Sequence, residues 1–85
     1  MRIISFDAEA FDQYNSWAGD KKVYARLQRL ISDAARNPFD GIGKPEPLKG
    51  ELRGMWSRGL TDEDRLVYQV TETGLYIVAC RYHYR

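Results

Sequence analysis

Eighty-five residues limit the chain to one domain, spanning residues 1–85, because either half would be too small to bury its own core. An apolar fraction of 44% beside 29% charged residues excludes a disordered or fibrous chain. A single cysteine and a single histidine exclude an internal disulfide and a zinc ligand set, and no stretch offers a signal-peptide core or the ~20 apolar residues of a membrane span. The expectation is a soluble cytoplasmic protein, without a membrane segment, a metal or any other cofactor.

The net charge of +1 conceals an uneven distribution. Residues 1–20 carry one Arg against four acids, residues 21–58 nine Lys and Arg against four acids, and residues 59–85 three Arg against four acids. A basic middle between acidic ends suits a localised patch for a polyanion, although solvated helix faces are the commoner origin of such a pattern.

In chain order, Met1 to Phe6 is short, apolar and β-branched at Ile3 and Ile4, and is predicted as a buried strand. Asp7 is placed to cap a helix running to Trp17, with Phe6 before the cap and Phe11 at the fourth helical position as a hydrophobic staple. Phe11, Tyr14 and Trp17 or Ala18 form its predicted inward stripe, and Gly19 closes it. Asp20 then caps a second helix whose apolar positions Val23, Leu27, Leu30, Ile31 and Ala34 follow helical spacing, until Pro38 forces Asn37 out of helical dihedrals. The opposite face of this helix carries Lys21, Lys22, Arg26, Arg29 and Arg36 and reads as a solvated face.

From Pro38 to Gly54 the prolines and glycines are too frequent for a long element. Within this loop Pro45 and Pro47 fix two φ angles and bias Lys44 and Glu46 toward extended geometry, so the Glu46 carboxylate has little backbone freedom. Pro47 to Lys49 is predicted as a very short strand. Met55 to Leu60 is a fuller one, with Trp56 inward and Arg58 on the same side. Thr61-Asp62-Glu63-Asp64 is a turn, and Arg65 opens a final hairpin. A three-residue loop Glu72-Thr73-Gly74 would pair Thr71 with Leu75 and Arg65 with Arg81, placing His83 on the face of Arg65. A two-residue loop would pair Thr71 with Gly74 and send them to opposite faces. On the first register Leu66, Tyr68, Val70, Tyr76, Val78 and Cys80 face the helices. Val67, Ile77 and Ala79 then make an apolar part of the other face, to be covered by a partner.

These residues fit cleavage of RNA by transesterification, which needs a base for the 2'-hydroxyl, an acid for the leaving 5'-oxygen and a fixed cation for the charge developing on phosphorus. Glu46, His83 and Arg65 are the candidates, with Tyr84 to hold the phosphate or steady the leaving group. Tyr82 and Tyr84 are of the type that stacks on unpaired bases. Which of Glu46 and His83 is base and which acid stays open, since a desolvated Glu46 would serve as the acid.

The run Asn37-Pro38-Phe39-Asp40-Gly41-Ile42-Gly43-Lys44-Pro45-Glu46-Pro47-Leu48-Lys49, with Trp56-Ser57-Arg58, Asp64-Arg65-Leu66-Val67-Tyr68 and Ala79-Cys80-Arg81-Tyr82-His83-Tyr84, resembles the Txe/YoeB branch of the RelE/ParE toxin superfamily over nearly the whole chain. The resemblance implies an α+β fold of order β-α-α-β-β-β-β, with two N-terminal helices on one face of a small, mainly antiparallel sheet of about five strands. It implies a type II toxin that cleaves mRNA at the ribosome without a metal and is silenced by a YefM/Phd-type antitoxin, with a homodimer expected. Position by position it makes Glu46 the base, Arg65 the transition-state cation, His83 the acid and Tyr84 the terminal active-site tyrosine. Lys44, Lys49, Arg58, Arg81 and Tyr82 are the expected RNA or ribosome contacts. Two departures stand out: Gly59, where relatives often carry a second Arg after Arg58, and the added Arg85. The reading of a different class is a non-catalytic ParE-like toxin or interaction module that acts by binding alone.

Overall fold

The fold of the protein is described from a computed structural model over residues 2–82. Its elements are β1 (Ile3–Phe6), α1 (Ala8–Ser16) with a closing 3-10 turn (Trp17–Gly19), α2 (Lys21–Arg36), β2 (Glu46–Pro47), β3 (Met55–Gly59), β4 (Arg65–Val70) and β5 (Gly74–Ala79). The five strands form one sheet in the order β1-β5-β4-β3-β2, antiparallel except where β1 runs parallel to β5. This is the expected α+β order, with β2 beginning one residue before its predicted span and ending two residues short of it. Leu48 N–H still bonds the Met55 carbonyl at 2.9 Å, so pairing runs past the strand. Pro47, which has no N–H to give, sits on the edge strand, where none is required.

The helix signals operate as read. Asp7 accepts from the Glu9 N–H and Asp20 from the Val23 N–H, each at 3.2 Å, and the Phe6 and Phe11 rings meet edge-on at 5.9 Å as the staple. Leu27 and Leu30 of α2 are fully buried against Leu66, Tyr68, Leu75 and Ile77 of the sheet, beside Ala10, Trp17, Ile31, Ala34 and Cys80. Each buried Leu or Ile contributes about 1.5–3 kcal/mol, against at most ~1 kcal/mol for a surface ion pair, so the apolar stripe of α2 fixes its seat.

Three expectations are corrected. The first strand is not buried: Ile3 is 71% exposed, because the strand lies at the sheet edge and only β5 flanks it. Phe11 is 51% exposed, and Ala10 takes the inward position on α1. In β5 the residues facing the helices are Leu75 and Ile77, not Tyr76 and Val78.

The third correction has a traceable cause. Val70, Gln69 and Tyr68 pair with Leu75, Tyr76 and Ile77, and Thr71 N–H bonds the Gly74 carbonyl at 3.0 Å, so the hairpin turns on two residues, Glu72 and Thr73. Between Tyr68 and Val67 the register then shifts, with two residues of β5 passing against one of β4, so that Val67 pairs with Ala79. Such a bulge inverts every later side chain. Hence Leu75, Ile77 and Cys80 all point to the helices. The pairing offset at Val67 is the one a three-residue loop would have given. The apolar part of the other face is not open either, since Val67 is 1% exposed within the single chain.

Candidate active site

Strand alternation separates two arginines. On β3, Trp56 and Arg58 point to the helix side, opposite Tyr68 and Leu66 of the core. Ser57 and Gly59 point to the other side, opposite Val67 and Arg65, and Glu46 of β2 pairs with Ser57. Glu46, Ser57 and Arg65 therefore share the face away from the helices.

Arg58 is fully buried. Its Nε–H bonds Tyr68 Oη at 3.0 Å, its Nη1 donates to Asp33 Oδ2 at 2.7 Å and the Ile42 carbonyl at 3.1 Å, and its Nη2 donates to the carbonyls of Asn37 and Asp40 at 2.7 and 3.0 Å. A guanidinium has five N–H donors, and these contacts use all of them. Tyr68 in turn donates its hydroxyl to the Pro38 carbonyl at 2.6 Å, and burial pushes that phenol above its ordinary range. The Arg58 guanidinium foremost, helped by the Ile42 N–H, holds the Asp33 carboxyl below the usual carboxylate range. This node shapes the 37–43 loop. Gly41 has φ +121°, and a Cβ there would come within 2.0 Å of Asp33 Oδ2; at Gly43, φ +81°, it would approach Leu30 Cδ2 to 2.8 Å. The expected role of Arg58 as an RNA or ribosome contact is accordingly not available to it, since its head group has neither exposure nor a spare donor.

Arg65 is placed differently. Its Nε–H bonds Ser57 Oγ at 3.1 Å and its Nη2 meets Glu46 Oε1 at 3.1 Å, with the Arg65 and Glu46 side chains 26% and 57% exposed. Ser57 is fully buried and fixes one edge of the guanidinium. An ion pair this exposed contributes roughly 0–1 kcal/mol and opens easily to an incoming anion. The pair lines an open cleft of about 510 Å³ with Lys44, Thr61, Asp62 and Arg26. Lys44 has φ +53°, not the extended geometry its position before Pro45 suggested. Arg26, read from the sequence as part of a solvated face, reaches the end of β3, donating through Nη2 to the Gly59 carbonyl at 2.9 Å and through Nε to that of Leu60 at 3.1 Å. Arg26, Thr61 and Asp62 line the cleft without having been predicted as site residues, and Ser57 lies buried behind Arg65. Period-2 alternation from Trp56 gives the side of Ser57, whereas nothing in the sequence brings α2 to the end of β3.

Of the remaining candidates, Lys49 is exposed outside the cleft. Arg81 stacks on Trp17, 4.0 Å from the ring centroid, and donates to Ser16 Oγ at 2.8 Å. Tyr82 is 67% exposed with φ +65°. His83, Tyr84 and Arg85 lie outside the described residues. Cys80 is a core residue, its thiol pushed up to about 12 by burial, and is unsuited to act as a nucleophile.

Residues 6–84 match a family model described as the YoeB-like toxin of bacterial type II toxin-antitoxin systems. The chain belongs to that family. It is similar to the toxin YoeB of Streptomyces coelicolor, 54% identical over 82 residues and covering 95% of this chain and 98% of that one. It is likewise similar to the toxin YoeB of Escherichia coli K12, 51% identical over 85 residues with 99% and 100% covered. Among solved structures, a YoeB/ParE toxin from Agrobacterium tumefaciens superposes with a TM-score of 0.90 at 39% identity, covering 99% and 100%. A YoeB-YefM complex from Staphylococcus aureus superposes with 0.88 at 38%, covering 99% of each chain, and a YoeB dimer from the same organism with 0.88 at 40%, covering 98% of each. As a YoeB-like toxin the chain is the toxin of a type II toxin-antitoxin system, and no described helix is long and apolar enough to cross a membrane.

Proposed function

We propose that this toxin is a ribosome-dependent endoribonuclease that cuts mRNA by general acid-base transesterification through its own side chains. The observation that carries the reading is the Glu46–Arg65 pair: a carboxylate and a guanidinium 3.1 Å apart, on one open face, with the cation steadied from behind by a buried serine. Glu46 takes the proton of the 2'-hydroxyl, the freed oxygen attacks phosphorus, and the bond from phosphorus to the 5'-oxygen breaks as His83 supplies a proton to the leaving group. The products are a 2',3'-cyclic phosphate and a 5'-hydroxyl. Arg65 stabilises the charge that accumulates on the phosphoryl oxygens. Tyr84 steadies the phosphate, and Lys44, Lys49 and Tyr82 contact RNA or the ribosome, with Arg81 contributing from its seat on Trp17. The partners proposed are a YefM/Phd-type antitoxin and a second copy of the chain, supported by the S. aureus YoeB-YefM complex and YoeB dimer.

The test incubates purified protein with translating ribosomes in the cytoplasmic fraction and maps message ends. New ends should appear with the wild type and fall about 10²- to 10⁴-fold with Glu46→Ala or His83→Ala, the usual range for losing one proton-transfer group. Intact message would sink the reading, and growth arrest surviving the double substitution would favour a toxin that acts by binding alone. In single variants, loss of the acidic limb of the pH-rate profile with Glu46→Ala assigns Glu46 as the base; loss of the alkaline limb assigns it as the acid.

A further inference from the structure

After Ala79 the chain leaves the sheet ladder, and its next three amides need partners. Two side chains from two other elements supply them. Gln13 Oε1 on α1 accepts from the Cys80 N–H at 2.8 Å and the Arg81 N–H at 3.2 Å, and Asp64 Oδ1 in the turn before β4 accepts from the Tyr82 N–H. Trp17 Nε1 donates to the Cys80 carbonyl at 2.8 Å, and Arg81 lies over the same indole. Asp64 is itself tied down, its Oδ2 accepting from Thr61 Oγ at 2.8 Å and its amide donating to that oxygen at 2.9 Å. The segment so held ends on Tyr82 at φ +65°, a left-handed conformation that L side chains rarely adopt and that persists only where its surroundings impose it. A terminal segment normally frays. This one is gripped from both sides, one residue before His83 in sequence and by the residue that precedes Arg65.

We propose that Gln13 and Asp64 are positioning residues: they fix the path of residues 80–82, and thereby set catalytic efficiency at the site without touching substrate. The proposal rests on the nuclease reading for its catalytic half and on geometry alone for the clamp. Gln13→Met keeps the length of the side chain and removes its strong acceptor, Gln13→Glu keeps the acceptor, and Asp64→Ala removes the second grip. In the full-length toxin, amide hydrogen exchange at residues 80–82 should accelerate at least tenfold in Gln13→Met and Asp64→Ala while the β4 amides stay protected. With programmed ribosomes, kcat should fall up to about 10²-fold, the scale for misplacing a reacting group by about 1 Å, with KM nearly unchanged. Gln13→Glu should restore both readouts. Unchanged exchange in Gln13→Met would overturn the clamp. Faster exchange with wild-type kcat would overturn the positioning role. A wild type inert on ribosomes would refute the nuclease reading and the catalytic half together, leaving the exchange result to decide the clamp.

Discussion

Arg58 gives all five guanidinium donors to the fold, whereas Arg65, on the neighbouring strand, gives one to buried Ser57 and one to the exposed carboxylate of Glu46. The same residue type becomes scaffold in one place and a poised cation in the other. Strand parity decides which: Arg58 points to the helix side, where burial requires every donor to be met, and Arg65 is opposite Gly59 on the open side. The two are also linked in series. The loop that Arg58 organises through Asn37, Asp40 and Ile42 leads directly into Glu46, so the scaffold arginine fixes the partner of the poised one.

That comparison can be broken most severely from the scaffold side. Arg58→Ala strands the Asp33 carboxylate and the loop carbonyls, and should lower unfolding free energy by about 3–5 kcal/mol in urea titrations, with any loss of cleavage following from the loss of fold. Gly41→Ala should be next, at about 1–3 kcal/mol, since its Cβ would displace Asp33 from Arg58 and its φ is one that alanine resists. Acid unfolding sharpens the same point more gently. Because Arg58 depresses the folded-state pKa of Asp33, the pair contributes stability that is fully present above the unfolded value near 3.8 and lost as pH falls through the lower folded value. An Asp33→Asn variant should therefore be less stable at neutral pH and show a flatter stability profile below about pH 4. Arg65→Ala should have the smallest effect on stability, within about 1 kcal/mol.

The parts of the fold carried by local chemistry were legible in the residues. The caps at Asp7 and Asp20, the Phe6 staple and the apolar stripe of α2 follow from spacing over a few positions, and Trp56 with Arg58 on one side of β3 follows from alternation. What could not be read depends on long-range pairing. An apolar, β-branched run such as Ile3-Ile4 looks buried until the edge position of its strand is known. The choice between the two hairpin registers was out of reach for a similar reason: a two-residue turn and a bulge at Val78 each invert the pattern, and together they restore the offset at Val67 while reversing Leu75 to Ile77. In the site, Glu46 and Arg65, both singled out in the sequence, stand 3.1 Å apart, whereas Arg58 drew a surface role because nothing local to it signals five acceptors gathered from residues 33 to 68.

The most direct measurement pairs stability with cleavage in a single variant, Arg65→Ala, using urea unfolding and mapped message ends on translating ribosomes. Unfolding free energy within about 1 kcal/mol of wild type, together with cleavage reduced about 10²- to 10³-fold, is the expected result. Cleavage at the wild-type rate from a folded Arg65→Ala protein would contradict the assignment of this face as the reacting site.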